Sequence, residues 1–231
     1  MYQLHLANKN YSSWSLRPWV LMKELEIPFQ EIIHPFGLES DWDNYTKLNP
    51  SGLVPCLLEV NELIWDSLAI IEFLAENHSG IWPIDKSARS WARSVTSEMH
   101  SGFIELRNIC SMNCGLRIKL KDITQPLHKD IDRIDELWQI GLNKFGGSFL
   151  AGKEFTAVDA FFTPVAFRFQ TYNIQLSNKS EEYMQRILSM KSMQLWYEQA
   201  LNESYRDAEH ESVCQYSGGI GACVGLLPII G

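Results

Sequence analysis

Residues 11–19 are Tyr11-Ser12-Ser13-Trp14-Ser15-Leu16-Arg17-Pro18-Trp19. They join a short apolar run at 2–6, which predicts a strand, to a run at 15–25 with helical spacing. Hydroxyls between a strand and a helix start can bind an anion, or hold a thiolate, at the positive end of the helix dipole. Serine is also a preferred helix N-cap residue. Taken alone, the stretch favours the anion site and the cap equally.

The charge and composition of the chain narrow its possible partners. The 231 residues carry a net charge of −8 and a sequence pI near 5.3, which argues against nucleic acid or an anionic membrane as a partner. No apolar run reaches the roughly 20 residues that a spanning helix needs, and no segment resembles a secretion signal. We therefore expect a globular protein that binds neither nucleic acid nor a membrane.

The five cysteines, at positions 56, 110, 114, 214 and 223, are odd in number and irregularly spaced. This pattern argues against a disulfide framework and predicts free thiols in a reducing, cytoplasmic setting. Cys110 and Cys114 are one helical turn apart, and neither has a histidine or further cysteine at the spacing of a zinc site. We expect both to pack in a helix, and we expect no metal.

The order of the predicted elements divides the chain into two different parts. Residues 1–78 predict the order β-α-β-α-β-β-α, with strands at 2–6, 29–33, 56–60 and 63–65 and helices at 15–25, near 40–48 and at 68–75. The first crossover predicts parallel pairing of strands one and two, and the short last connection predicts an antiparallel pair. Residues 79–86 predict a linker. Beyond it helices are predicted at 85–114, 127–144, 156–172, 181–190 and 193–201, followed by a flexible tail at 206–231.

Two further segments of the first part could meet a ligand. Val54-Pro55 heads a strand, where a cis bond would turn the backbone groups of Val54 outward to pair with an extended peptide. A trans proline is the commoner alternative. Asp66-Ser67 opens a helix, where the pair can serve as cap and first-turn residue, or can bind the ammonium and carboxylate of an α-amino acid.

The three segments, in this order, resemble the cytosolic glutathione S-transferases over residues 1 to about 204. Ser12-Ser13-Trp14-Ser15 is similar to the Ser-Ser-Cys-Ser motif of the zeta class, with Trp14 at the Cys position, and lies close to bacterial serine-type transferases. Thr156 and Asp159 match the family's helix capping box. The resemblance implies an α+β two-domain fold, with a thioredoxin-like glutathione-binding domain at 1–78 and an all-helical domain at 87–205.

The resemblance also implies the residues that bind glutathione, which are Val54, Pro55, Asp66 and Ser67, with Lys47 or Asn49 in place of the family's Lys or Gln before Val-Pro. The hydroxyl of Ser12, with that of Ser13 as second choice, is expected to donate to the glutathione sulfur and favour its thiolate. Ser15 is expected to cap the helix. Tyr11 is the less suitable donor because it precedes the serine pair.

The electrophile pocket is expected between the loop after the first strand and the first helix of the second domain. The apolar, glycine-rich tail could also fold over this pocket, although a flexible end is the favoured alternative. Its candidate residues are Trp14, His100, Phe103, Arg107 and Met112. Phe103 shares helical spacing with Met99 and Leu106, a pattern that is more often a buried core stripe than a set of ligand contacts. His100 beside that stripe is likewise more often a hydrogen-bonded histidine than a catalytic one.

We therefore expect a cytoplasmic glutathione transferase that uses glutathione as co-substrate against a small hydrophobic electrophile. The resemblance implies a homodimer. Glutathione-dependent isomerisation or peroxide reduction uses the same first domain and stays open as an alternative. A non-catalytic binding module of the same fold is a further alternative, because a fold does not fix a function. The missing zeta-class Cys weakens any transfer of that class's isomerase activity.

Overall fold

The structure is a computed structural model that describes residues 1–36, 46–47, 49–208 and 210–212. Its first part contains a four-stranded sheet in the order β2-β1-β3-β4. The strands are β1 (Tyr2–Leu6), β2 (Phe29–Ile33), β3 (Cys56–Glu59) and β4 (Glu62–Trp65). As predicted, β1 and β2 are parallel and β3 and β4 form an antiparallel hairpin.

Among the described residues, two helices pack on the sheet, α1 (Ser13–Glu24) and α2 (Ser67–Asn77). Leu4 and Leu6 of the central strand β1 are fully buried, as is Trp19 of α1. Burying such large apolar side chains is the main force that holds helix and sheet together. Because α1 also contacts helices of the second part, its N-terminus lies where the two parts meet.

The second part of the described chain is helical. Its helices are α3 (Lys86–Ser101), α4 (Ile104–Ile109), α5 (Gln125–Phe145), α6 (Ala157–Tyr172), α7 (Asn178–Ser189) and α8 (Lys191–Asn202). The predicted capping box is confirmed, since Thr156 and Asp159 exchange both of its hydrogen bonds at the start of α6. A mixed sheet with helices followed by a helical part confirms the predicted α+β fold class.

The single helix predicted at 85–114 is wrong, because the chain breaks into α3 and α4. Gly102 ends α3 in an extended conformation, and Phe103 follows with a left-handed φ of 60°. Arg107 then folds back and donates hydrogen bonds to the carbonyls of Gly102 (2.9 Å) and Met99. These bonds satisfy carbonyls at the end of α3 that a continuous helix would have paired internally.

The break also moves the two central cysteines. Cys110 and Cys114 follow α4 instead of sharing a helix face, so the helical part of that prediction is wrong. Both are buried thiols outside any disulfide, as is Cys56 on β3. Cys214 and Cys223 lie outside the described residues. Within the described ranges, no cluster of three or more metal-binding side chains occurs.

Other sequence predictions fall wholly or partly outside the described residues. These include the helix near 40–48, of which only residues 46 and 47 are described, and most of the predicted tail. Of that tail the structure describes 206–208 and 210–212, which make specific contacts with the first part. No helix in the described ranges combines the length and the apolar character needed to cross a membrane.

Candidate functional site

A cavity of about 320 Å³ opens beside the N-terminus of α1. Its lining consists of residues 11–14, 52–54 and 111–112 together with Phe36, Arg168 and His210. Five residues predicted from the sequence are therefore brought together here, namely Ser12, Ser13, Trp14, Val54 and Met112. The cavity combines the hydroxyls of three serines and one tyrosine with one guanidinium and with several aromatic and apolar side chains.

The serine cluster differs from its prediction in one respect. Ser15 does not cap α1, because the helix already begins at Ser13 and Ser12 occupies the N-cap position. Ser15 is instead fully buried in the first turn, where its hydroxyl oxygen accepts hydrogen bonds from the Ala7 N–H (3.3 Å) and the Ser12 hydroxyl (2.7 Å). Ser15 thus ties the start of α1 to the end of β1.

Ser13 has a different partner, which comes from the other part of the molecule. Its hydroxyl oxygen lies 3.3 Å from Nη2 of Arg168, which donates to it. Arg168 is on α6, is only 6% exposed, and also donates to the carbonyl of Cys110. The sequence analysis missed Arg168, although one charged residue inside the apolar run of α6 was a usable signal, because a buried charge needs polar partners.

Val54-Pro55 is a cis peptide bond, and Val54 lines the cavity. Asn49 shapes the loop before it, since its Nδ2 donates to the Leu53 carbonyl (2.7 Å) and its Oδ1 accepts from the Ser51 N–H (2.9 Å). Asn49 is 1% exposed and does not line the cavity. The structure therefore gives Asn49 a scaffold role. Lys47 is exposed and also lies outside the lining.

Asp66 and Ser67 lie beside the cavity without lining it. Asp66 is the N-cap of α2, and its Oδ1 accepts from the N–H of Leu68 at 2.7 Å, so the capping interpretation is confirmed. Its Oδ2 lies 3.4 Å from Nε2 of His100. Ser67 is fully buried, and its hydroxyl oxygen accepts from Nη1 of Arg17 at 3.2 Å.

Trp14 connects the cavity with this neighbouring pair. Its ring lies 4.1 Å from the guanidinium carbon of Arg17 and 5.1 Å from that of Arg107, and the His100 ring meets it edge-on at 5.0 Å. Cation–π contacts of this kind stabilise arginine near an aromatic face. His100, Phe103 and Arg107, all predicted for the electrophile pocket, do not line the cavity.

Three guanidinium groups lie close to Trp14 and Ser13, those of Arg17 and Arg107 at the Trp14 ring and that of Arg168 at the Ser13 hydroxyl. Burial, followed by the like charges of Arg107 and Arg168, holds the pKa of Arg17 well below its usual value. Burial also lowers the pKa of His100, against the opposing effect of Asp66. A concentration of positive charge near the helix N-terminus favours an anion in the adjoining cavity.

Tyr11 is held by the C-terminal part of the described chain. Its hydroxyl donates to Oε1 of Glu211 at 2.7 Å and accepts from the Asp207 N–H at 3.2 Å. Burial, and then the hydrogen bond to Glu211, raises the pKa of Tyr11 to about 12. Its proton is thus already engaged, in agreement with the expectation that Tyr11 is the less suitable donor to a sulfur.

The sequence and the fold of the chain are similar to those of glutathione S-transferases. The family profile of the glutathione S-transferase N-terminal domain matches residues 11–77, which include the serine cluster, Val54-Pro55 and Asp66-Ser67. A probable maleylacetoacetate isomerase of Caenorhabditis elegans is 25% identical over 169 residues, which are 71% of this chain and 77% of that protein. Glutathione S-transferase 1 of Dianthus caryophyllus is 26% identical over 169 residues, or 70% and 74% of the two chains.

A solved structure has the same fold. The crystal structure of a glutathione transferase homolog from Burkholderia gl BGR1, with bound glutathione, superposes with a TM-score of 0.65 at 18% identity. The superposition covers 87% of this chain and 99% of that one. The likeness extends over both the sheet and the helical part.

Proposed function

We propose that this chain is a glutathione transferase that activates the glutathione thiol for attack on a small hydrophobic electrophile. The observation that carries the proposal is the position of Ser12 and Ser13. Both hydroxyls lie on a cavity at the N-terminus of α1, and the guanidinium of Arg168 contacts one of them. The match of residues 11–77 to the glutathione S-transferase N-terminal domain profile and the bound glutathione of the Burkholderia homolog support glutathione as the ligand.

Thiol activation is a matter of the sulfur's pKa. A free thiol has a pKa near 8.5, so only a small fraction is thiolate at neutral pH. A hydroxyl that donates to the sulfur, a helix N-terminus and a nearby cation each favour the anion. All three are available at this cavity, and each unit by which they lower the pKa is equivalent to about 1.4 kcal/mol.

The hydrogen bonds favour Ser13 over Ser12 as the donor, which reverses the ranking made from the sequence. The Ser12 hydroxyl gives its proton to Ser15. Ser13 accepts a hydrogen bond from Arg168, and among the described residues no acceptor takes the proton of its hydroxyl. Accepting from a cation polarises that hydroxyl and makes it the better donor to a sulfur anion.

The reaction then needs only the activated sulfur and a bound electrophile. The thiol proton leaves to solvent, the sulfur electron pair forms a bond to the electrophilic carbon, and the leaving group departs with its bonding electrons. Trp14 and Met112 are proposed to hold the electrophile. Val54, Pro55, Asp66, Ser67 and Lys47 stay as proposed glutathione contacts, and a cytoplasmic homodimer stays part of the proposal.

Glutathione-dependent isomerisation is the second candidate, favoured by the probable maleylacetoacetate isomerase among the relatives. In such a reaction the thiolate adds to a conjugated double bond, the resulting single bond rotates, and the sulfur leaves again with its electrons. Glutathione is not consumed. Trp14 stands where the zeta motif carries Cys, and this difference favours the transferase.

The proposal is tested by measuring retention on immobilised glutathione together with turnover of a chromogenic aryl halide and of a cis-enedione. A transferase consumes glutathione with the aryl halide. If the protein converts only the enedione and consumes no glutathione, the transferase proposal is wrong and the isomerase takes its place. Retention without turnover of either compound would indicate a binding module, and absence of retention would contradict both enzymatic proposals.

A further inference from the structure

The segment that follows α8 is fastened to the loop before the serine cluster. Glu203 directly follows α8, and its two carboxylate oxygens accept hydrogen bonds from the backbone N–H groups of Lys9 (2.6 Å) and Asn10 (3.2 Å). Backbone donors paired with a carboxylate make charge-assisted bonds, which are stronger than neutral ones. One side chain near the end of the described chain thus satisfies two donors of the catalytic loop.

A second attachment joins the same segment to Tyr11, one residue before Ser12. The Tyr11 hydroxyl is bonded on both sides, by the Asp207 N–H and by the Glu211 carboxylate. Together with Glu203, these contacts hold three successive loop residues, 9 to 11. The loop geometry that sets the positions of Ser12 and Ser13 therefore depends on residues nearly 200 positions away.

The third contact places a side chain on the cavity itself. The His210 ring is nearly parallel to those of Tyr11 and Phe36, with centroid separations of 5.0 and 5.4 Å and interplanar angles of 27° and 17°. All three rings line the cavity that Ser12 and Ser13 share. Stacked rings of this kind restrain one another and present an aromatic wall.

We infer that Glu203, Asp207 and Glu211, which we call the clasp, hold the serine loop against the segment that carries His210, and that His210 is a determinant of electrophile specificity. The ligand class that fits the wall is a planar aromatic electrophile, which can stack on rings as an aliphatic one cannot. This inference rests on the proposed function, because it concerns the second substrate of the same cavity.

The test measures ligand affinity by calorimetry, so it needs no turnover. The probes are glutathione, S-methylglutathione and S-(dinitrophenyl)glutathione, whose sulfur substituents are none, aliphatic and aromatic. We expect His210→Ala to weaken the affinity for the dinitrophenyl conjugate about fivefold, which is the effect expected for the loss of one aromatic contact. Affinity for glutathione and for S-methylglutathione should stay within about twofold, since neither ligand reaches the aromatic wall.

Two matched variants separate stacking from general damage. His210→Phe keeps the ring and should restore the affinity for the dinitrophenyl conjugate. His128→Ala removes an exposed histidine of α5, outside the cavity lining, and should behave as wild type. If His210 affects only the stability of the protein, His210→Ala should lower the affinity for all three ligands together, and His210→Phe should not restore selective binding of the dinitrophenyl conjugate.

The outcomes distinguish the inference from the function on which it rests. If wild type binds none of the three ligands, the proposed function fails and the inference fails with it. If wild type binds all three ligands and His210→Ala changes the three affinities equally or not at all, the inference alone is overturned. Selective loss of the dinitrophenyl conjugate, restored by His210→Phe, supports it.

Discussion

The sheet part and the helical part contribute to the cavity in opposite ways. The sheet part supplies continuous stretches, residues 11–14 and 52–54, that are recognisable as motifs in the sequence. The helical part and the segment after it supply Met112, Arg168 and His210, which are far apart in the sequence and belong to no motif. The serine side of the cavity is therefore built from residues that are neighbours in the sequence. The charge and the walls of the cavity come from residues that only tertiary packing brings together.

The largest expected effect concerns how the helical part is held together. Asp159 is fully buried, and its carboxylate accepts from the N–H groups of Leu150 (2.9 Å) and Thr156 (3.0 Å) and from the Tyr183 hydroxyl (3.0 Å). Asp159→Ala leaves these buried donors without an acceptor, at about 1–3 kcal/mol each. We expect the free energy of unfolding, measured with urea, to fall by about 4 kcal/mol.

The matched control is Glu154→Ala, an exposed acidic residue in the same loop, which should change the free energy of unfolding by less than about 0.5 kcal/mol. A loss below about 1 kcal/mol in Asp159→Ala would mean that this network does not anchor the helical part.

The next effect tests whether the helical part acts on the serine cluster. Arg168→Gln removes a positive charge beside Ser13 and should raise the pKa of the bound thiol by about 1.5 units. At neutral pH kcat/KM should then fall by about tenfold or more. The measurement is the pH profile of kcat/KM, in which a purely structural role would lower the plateau without moving the apparent pKa.

Arg168→Lys keeps the charge and should recover part of the pKa shift, since lysine lacks the planar fork of the guanidinium. Arg186→Gln removes a half-buried arginine of α7 that donates to the Ser148 carbonyl outside the cavity lining, and it should leave the pH profile unchanged. If the pKa of the bound thiol is unchanged in Arg168→Gln, the helical part does not contribute to thiol activation.

The smallest stability effect lies within the sheet part. Burial, and then the neighbouring His34, lowers the pKa of His5 to about 4, compared with 6.5 in an unfolded chain. Between these values the unfolded state binds more protons, so the stability that His5 contributes is present above pH 6.5 and is lost as the pH falls toward 4. His5→Leu should reduce the fall in stability between pH 7 and pH 5 by about 1 kcal/mol.

Urea unfolding at pH 5 and at pH 7 measures this difference. The control His128→Leu replaces an exposed histidine and should keep the wild-type dependence. A His5→Leu variant with the same dependence as wild type would show that the His5–His34 contact, 2.9 Å between ring nitrogens, does not affect acid stability.

The sequence predicts most of the fold because its signals are periodic and local. The strand pairing, the start of α6 and the grouping of Ser12, Ser13 and Val54 all follow from short patterns. The break at Gly102 and Phe103 was missed because a single glycine in a helical pattern is only a weak signal that the helix ends there. What ends α3 is the return of Arg107 to its carbonyls, which is a tertiary choice.

The missed site residues have the same explanation. Arg168 gave one local signal, a charge within an apolar helix, but the sequence does not say which residue it meets. His210 and Glu211 belong to a segment that composition assigns to a tail, and only folding brings them to Tyr11. The proposed preference for Ser13 over Ser12 could not be reached from the sequence either, because it depends on the partners of the two hydroxyls.

The most direct test of the account is a titration of the thiolate absorbance of bound glutathione in Ser12→Ala and Ser13→Ala. Removing the hydroxyl of Ser13 should raise the thiol pKa by about 0.7 unit, equivalent to the roughly 1 kcal/mol of one hydrogen bond. Ser12→Ala should raise it by less than about half as much, because that hydroxyl is bonded to Ser15. An unchanged thiol pKa in Ser13→Ala would contradict the assignment of Ser13 as the group that activates the sulfur.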